Sequence, residues 1–330
     1  MQGAKGGSFH LLAFLLMIGL HDIEQARRRI AGHVRRTPLI AASALSIPLP
    51  LAEGAVLTLK LESLQVTGSF KARGATHKAL TLTPAEARRG LVTASGGNHG
   101  LGVAYAGRLI GAPVTIYLPG NAPAAKAEKL ERWGARVIRE GAVWDEADAE
   151  ARLAATRDGL TYVHAFADPA VIAGQGTVGL EIFEDAPETD VLLVAIGGGG
   201  LISGVASAAR ALRPGVRVIG VEPVGAPTLF ASLQAGGVVE LERITTAANT
   251  LAPRRSAELN FEIIQAAVDE IVLVTDEEMR DAARWLWFEM GIAAELSGAA
   301  SVAALLTGKA GAEGRNVCAV VCGAGTDGVP

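Results

Sequence analysis

The 330-residue chain has two cysteines, few aromatic residues (5%) and no block of basic charge, and each scarcity excludes something. Cys318 and Cys322 lie in one apolar, strand-like run. Four residues of strand span about 13 Å, so the two thiols share a face without the reach for a disulfide. Two thiols alone also make a poor metal site, and a reducing cytoplasm is the compartment that suits them. Lys and Arg number 30 against 34 Asp and Glu, which argues against nucleic acid as a partner. The stretch Phe9 to Leu20 follows Lys5 as in a signal peptide, but it is too short to span a bilayer and no small-residue cleavage pattern follows it. No membrane association is expected.

What is present is glycine and aliphatic side chains. Half of the chain is apolar and 40 residues are glycine, a composition that suits a glycine-rich α/β protein, and the length suffices for two domains. From Val56 onward short apolar runs alternate with amphipathic stretches. Predicted strands are Val56–Leu61, Leu91–Ala94, Val114–Leu118, Arg136–Ile138, Tyr162–Ala165, Val191–Ile196, Val216–Val221, Ile271–Val274 and Val317–Val321, with helices between them. A helix is predicted after Asn98, with Val103, Ala106, Gly107 and Ile110 on one face and Gly111-Ala112-Pro113 as its stop. Continuous apolar strands alternating with helices predict parallel sheets covered on both faces. No repeat, low-complexity linker or charge run marks a domain boundary.

Three stretches carry chemistry. The first is Glu62-Ser63-Leu64-Gln65-Val66-Thr67-Gly68-Ser69-Phe70-Lys71-Ala72-Arg73-Gly74, directly after the strand Val56–Leu61. A lysine opening a helix on the heels of a buried strand stands where its ammonium loses hydration and becomes an amine nucleophile, as a Schiff-base lysine must; an ordinary helix lysine is solvated. The second is Ser95-Gly96-Gly97-Asn98-His99-Gly100, a strand-to-helix turn with free amides and a hydroxyl. The third is the run Gly197-Gly198-Gly199-Gly200 between a strand and a helix beginning near Leu201. Its unobstructed amides and the helix dipole suit a phosphate. A dinucleotide turn or a tight connection has the same local pattern, although Gly197, Gly199 and Gly204 meet the dinucleotide spacing loosely and only Glu222 closes the next strand.

Together these stretches resemble the fold-type II pyridoxal-phosphate enzymes, and within them the threonine and serine dehydratases (ammonia-lyases), from about His21 to Gly328. The resemblance implies an α/β fold like the tryptophan synthase β subunit: two open, mostly parallel sheets covered by helices, with the cofactor in the interdomain cleft. It implies a small domain at residues 85–165, a large domain from 21–84 and 166–330, and an N-terminal extension at 1–20 with Met17 as the biological first residue. Lys71 is then the catalytic residue and the covalent anchor of the cofactor, and Phe70 beside it is a core residue or, in the preferred reading, a wall against the cofactor ring. Gly197, Gly198, Gly199, Gly200 and Leu201 surround the phosphate, and Asn98 meets the ring hydroxyl. Cys322 faces the pyridine nitrogen, where many relatives carry serine. Ser95, Gly96, Gly97, Asn98 and His99 form the implied substrate-carboxylate loop. The His99 imidazole suits a general base, but the family gives that role to the lysine, so His99 is expected to pack or cap. The implied reaction is β-elimination of L-threonine or L-serine to a 2-oxoacid and ammonia. A thiol beside the pyridine nitrogen makes a weaker electron sink than a carboxylate, which favours expelling a leaving group from Cβ. A small amino-acid substrate, a homodimer and a cytoplasmic role in amino-acid catabolism are the matching expectations.

The sequence departs from this pattern at three places. Gly96 stands where racemizing relatives carry a second serine, so racemization is not expected. Glu222 and Ala226 match two residues of the divalent-cation site of related dehydratases, but Thr228 replaces the aspartate, and no metal is expected. Ala247-Ala248-Asn249-Thr250-Leu251 replaces an Ala-Asp-Gly type of loop near the substrate side chain. That leaves open another β-substituted amino acid, such as 3-hydroxyaspartate, or a cofactor-binding protein without turnover. Glu295, in Glu295-Leu296-Ser297-Gly298-Ala299-Ala300, matches a stretch at the rear of the site and is equally a helix cap.

Overall fold

The computed structural model describes residues 18–49, 51, 53–312 and 315–327. Residues 1–17, which hold most of the expected extension and Met17, lie outside the described residues. In chain order the elements are α1 (Leu20–Ile30), β1 (Leu39–Ala41), β2 (Leu57–Leu61), α2 (Lys71–Leu80), α3 (Pro84–Arg89), β3 (Leu91–Ala94), α4 (Asn98–Ile110), β4 (Val114–Leu118), α5 (Ala124–Arg132), β5 (Arg136–Arg139), α6 (Trp144–Asp158), β6 (Thr161–Tyr162), α7 (Pro169–Asp185), β7 (Val191–Ala195), α8 (Gly200–Leu212), β8 (Arg217–Pro223), α9 (Thr228–Ala235), α10 (Glu258–Ala267), β9 (Glu270–Val274), α11 (Asp276–Met290), α12 (Leu296–Leu306) and β10 (Val317–Val321).

Two sheets organise the chain. One has the strand order β1-β2-β10-β7-β8-β9 and the other β5-β4-β3-β6. Among the described residues these strands pair in parallel except β1 against β2. The strands β7 and β10 are buried at every position, which is why they read as unbroken aliphatic runs: helices cover both faces of a parallel sheet. The antiparallel edge strand β1 escaped the sequence reading. Three residues, Leu39-Ile40-Ala41, carry too little pattern to separate a short edge strand from a loop.

Tyr162–Ala165 was also expected as strand, and here the structure differs. Pairing stops at Tyr162, and the chain turns at His164, whose Nδ1 accepts the amides of Phe166 (3.1 Å) and Ala167 (2.9 Å). Asp168 then caps α7 by accepting from Ala170 N–H at 2.8 Å, with Pro169 at the first helical position. The predicted stop of α4 is found at Gly111, which takes the left-handed conformation.

The helix that begins with Lys71 is held on two sides. A Cβ at Gly102 of α4 would lie 3.0 Å from the Lys71 carbonyl carbon, and one at Gly174 of α7 would lie 2.6 Å from Gly74 Cα. Glycine is required at both contacts because the backbones themselves touch. Beneath α2 lies a buried ionic knot. Arg73 donates to both oxygens of Glu62 (2.8 Å each) and of Glu181 (2.7 and 2.8 Å), and Lys60 donates to Glu181 at 2.6 Å. Two cations and two carboxylates balance, which makes their burial tolerable.

Candidate active site

Lys71 reaches the cleft because its neighbours are stitched to the end of β10. Ser69 bridges Gly323, Phe70 N–H donates to the Cys322 carbonyl (3.3 Å), and Ala324 N–H donates to the Gly68 carbonyl (2.8 Å). Thr67 and Gly68 both take positive φ, +65° and +84°, to make the turn. Lys71 and Cys322 are thereby brought side by side from positions far apart in the chain.

The Lys71 ammonium donates to the Ala165 carbonyl at 2.6 Å and lies 5.1 Å from the centre of the Phe70 ring. Burial pushes its pKa down to about 8, against the pull of Cys322 and Glu295. Cys322 is buried, its thiol donates to the Ser297 carbonyl at 3.4 Å, and burial raises its pKa far enough to keep it neutral.

Ser95 to Gly97 form the turn from β3 into α4, with Gly97 N–H directed at Ser95 Oγ (3.3 Å). Asn98, the first residue of α4, donates from Nδ2 to Glu295 Oε1 at 2.7 Å. Thr250 Oγ1 lies 3.3 Å from the same oxygen and meets the Ser297 hydroxyl. Burial raises Glu295 to about 7, with the bonds from Asn98 and Thr250 opposing. His99 belongs to the loop only through its backbone. Its ring is buried and bonded through Nε2 to the Val163 carbonyl (2.9 Å), and burial, with the charge of Lys71, lowers its pKa to about 3. It stays neutral and packs, as expected from its place at a helix start.

The amides of Gly198, Gly199, Gly200 and Leu201 find no acceptor among the described residues, and they stand at the N-terminus of α8. That is the donor set an anionic phosphate needs, and with a desolvated lysine across the cleft the residues fit pyridoxal phosphate. The loop tolerates no side chain. Gly199 has φ +92°, and a Cβ at Gly198 would sit 2.2 Å from the Phe166 ring. Phe166 covers the loop, braced by His164 in an edge contact at 4.6 Å and by Asn260 Nδ2 donating to its carbonyl at 3.1 Å.

The segment His164-Ala165-Phe166 was missed as part of the site. The available signal was Asp168-Pro169, a helix-start signature that leaves the preceding residues in a loop rather than a strand. Thr250 and Ser297 lay within stretches already marked, but nothing local assigned them partners. Glu222, which matches only part of the relatives' cation site, accepts the α9 amides of Leu229 and Phe230 at 2.8 Å each, and burial raises it to about 8. Thr228 Oγ1 donates to the Pro253 carbonyl at 2.7 Å.

The sequence pattern of the family described as "Pyridoxal-phosphate dependent enzyme" matches residues 30–323. The L-threonine ammonia-lyase of Thermotoga maritima is 44% identical over 311 residues, 94% of this chain and 76% of that protein. A catabolic L-threonine dehydratase of Staphylococcus aureus is 38% identical over 314 residues, 94% of this chain and 90% of the relative. Among solved structures, a T.th. threonine deaminase aligns with a TM-score of 0.87 at 36% identity, covering 94% of this chain and 100% of the other. Maize serine racemase aligns at 0.85 with 32% identity, covering 93% and 95%. The family pattern over most of the chain and these alignments agree: the chain belongs to the pyridoxal-phosphate-dependent enzymes.

Proposed function

We propose that this protein is an ammonia-lyase that dehydrates and deaminates L-threonine or L-serine, as its relatives' names describe for them. The observation that carries the reading is the pairing of a desolvated amine, Lys71 with a pKa near 8, with a neutral thiol, Cys322, at the end of β10. Bound pyridoxal phosphate supplies the electron sink that acidifies the substrate's Cα–H. The amides of Gly198 to Leu201 hold its phosphate. Lys71 would anchor it and, as a free amine, would receive the substrate's Cα proton. Ser95 and the amides of Gly96, Gly97 and Asn98 hold the substrate carboxylate and fix Cα within reach of that amine. Cys322 would offer the group a neutral thiol rather than a carboxylate, which would favour expulsion of a leaving group from Cβ. The Cα proton and the β-hydroxyl would leave together as water, and the released enamine would take up water to give a 2-oxoacid and ammonia.

Residues 85–165 serve in this reading as the small domain and 21–84 with 166–330 as the large one, supported by the four strands β3 to β6 all lying between Leu91 and Tyr162. We further take the enzyme to be a cytoplasmic homodimer, a location that its two buried free cysteines suit. Among the described residues no helix is long and apolar enough to cross a membrane.

The test is release of 2-oxoacid and ammonia across a panel of L-amino acids, with chiral chromatography of remaining serine. Pyruvate from L-serine and 2-oxobutyrate from L-threonine are expected, with little D-serine because Gly96 offers no acid–base group. D-serine forming as fast as pyruvate would overturn the assignment as a lyase.

A further inference from the structure

Thr250 lies where three loops of the cleft meet. Its carbonyl oxygen is 2.8 Å from where a Cβ on Gly197 would stand, and its methyl carbon Cγ2 is 3.8 Å from the equivalent point on Gly97. Its hydroxyl reaches Glu295 Oε1 at 3.3 Å and meets Ser297 Oγ. Despite these contacts Thr250 is exposed, so part of its side chain remains free.

One carbon carries both the hydroxyl and the methyl group. Once the hydroxyl is committed to Glu295 and Ser297, the side-chain torsion is fixed and the methyl is held toward Gly97. The far end of this arrangement is fixed as well, because Glu295 is tied to Asn98 at 2.7 Å. The result is a rigid apolar wall beside the loop that would hold the substrate carboxylate.

We propose that Thr250 determines specificity by limiting the substituent on the substrate's β-carbon to about the size of a methyl group, so that serine and threonine are accepted and bulkier β-hydroxy amino acids are refused. The inference rests on the reading of the cleft as an amino-acid site and adds the size class of its substrate.

The experiment compares holoenzymes of the parent, Thr250→Ser and Thr250→Val with L-serine, L-threonine and L-phenylserine. Two quantities are read: the dissociation constant, from the change in cofactor absorbance on binding, and kcat/KM, from 2-oxoacid release. Thr250→Ser keeps the hydroxyl and removes only the methyl, and should raise the kcat/KM ratio of phenylserine to serine and lower the corresponding ratio of dissociation constants, each by about tenfold or more, the usual discrimination of a small apolar group in a pocket. Thr250→Val keeps the branched shape without the hydroxyl and should leave the ratios within about twofold. Ratios for Thr250→Ser that stay within twofold of the parent overturn the proposal, as does a parent that binds phenylserine as tightly as serine. A parent that binds in the order expected by size, with the ratio relaxed in Thr250→Ser, yet releases no 2-oxoacid, supports size selection while sinking the lyase reading.

Discussion

Asn98 and Glu295, 197 positions apart, are joined by a 2.7 Å hydrogen bond from Nδ2 to Oε1. One is the first residue of α4, which packs on the four-stranded sheet; the other immediately precedes α12, which packs on the six-stranded sheet. The bond therefore links a helix start on the four-stranded sheet to a helix start on the six-stranded one. It also orients the Asn98 amide, since an amide nitrogen committed to one acceptor has one remaining proton to offer.

Glu295 gives a pH prediction. Burial raises its pKa from 4.5 to about 7, so between those values the folded protein holds a proton that the unfolded chain has released. Its contribution to stability is full below about 4.5 and is lost as pH rises through about 7. Unfolding free energy of the parent minus that of Glu295→Gln should fall across this interval, by at most about 1.4 kcal/mol per pH unit, and then level. A difference that rises with pH would contradict the assigned direction.

Covalent attachment should map to Lys71 alone. Borohydride treatment of the yellow holoenzyme should fix the cofactor to the peptide containing Lys71, and Lys71→Ala should lose both the link and about 10²–10⁴-fold in elimination rate. Neither neighbour competes: Lys60 is buried against Glu181 at 2.6 Å and Lys78 is paired with Asp168 at 2.7 Å. A labelled peptide carrying Lys60 or Lys78 instead would displace Lys71 from its role.

Activity should survive chelation to within about twofold, with little activation by magnesium. Thr228 brings no charge to the neighbourhood of Glu222, and each missing carboxylate weakens a site for a hard cation. The Glu222 oxygens are already engaged by the first turn of α9. Loss of most activity in chelator, with recovery on adding magnesium, would show that the cation binds through other ligands.

The ionic knot under α2 predicts a non-additive pattern. Glu181→Gln leaves Arg73 and Lys60 short of a buried counter-charge and should cost about 3–5 kcal/mol. Adding Lys60→Met to Glu181→Gln removes a cation together with the anion, so the pair should cost less than the sum of the two single changes. Denaturant unfolding of all three variants measures this. Simple additivity would mean that the charges do not act as a unit.

The chain's own order of residues determined the chemistry of the loops. A strand followed by Lys71, a glycine run followed by a helix, and a Ser-Gly-Gly-Asn turn are each local, because amides and a desolvated amine at a strand-to-helix turn are products of the few residues around them. The continuous aliphatic runs likewise announced parallel, doubly covered strands. Thr250, Phe166 and the Ala165 carbonyl were beyond such a reading. Each acquires its role from a partner in another loop: Thr250 from Glu295 and Ser297, Phe166 from the tetraglycine turn, Ala165 from Lys71. Which loops meet depends on strand order, β10 entering between β2 and β7, and hydrophobic alternation is the same for a strand at any place in a sheet. Local pattern fixes which face of an element is buried; only the packed sheets decide what it is buried against.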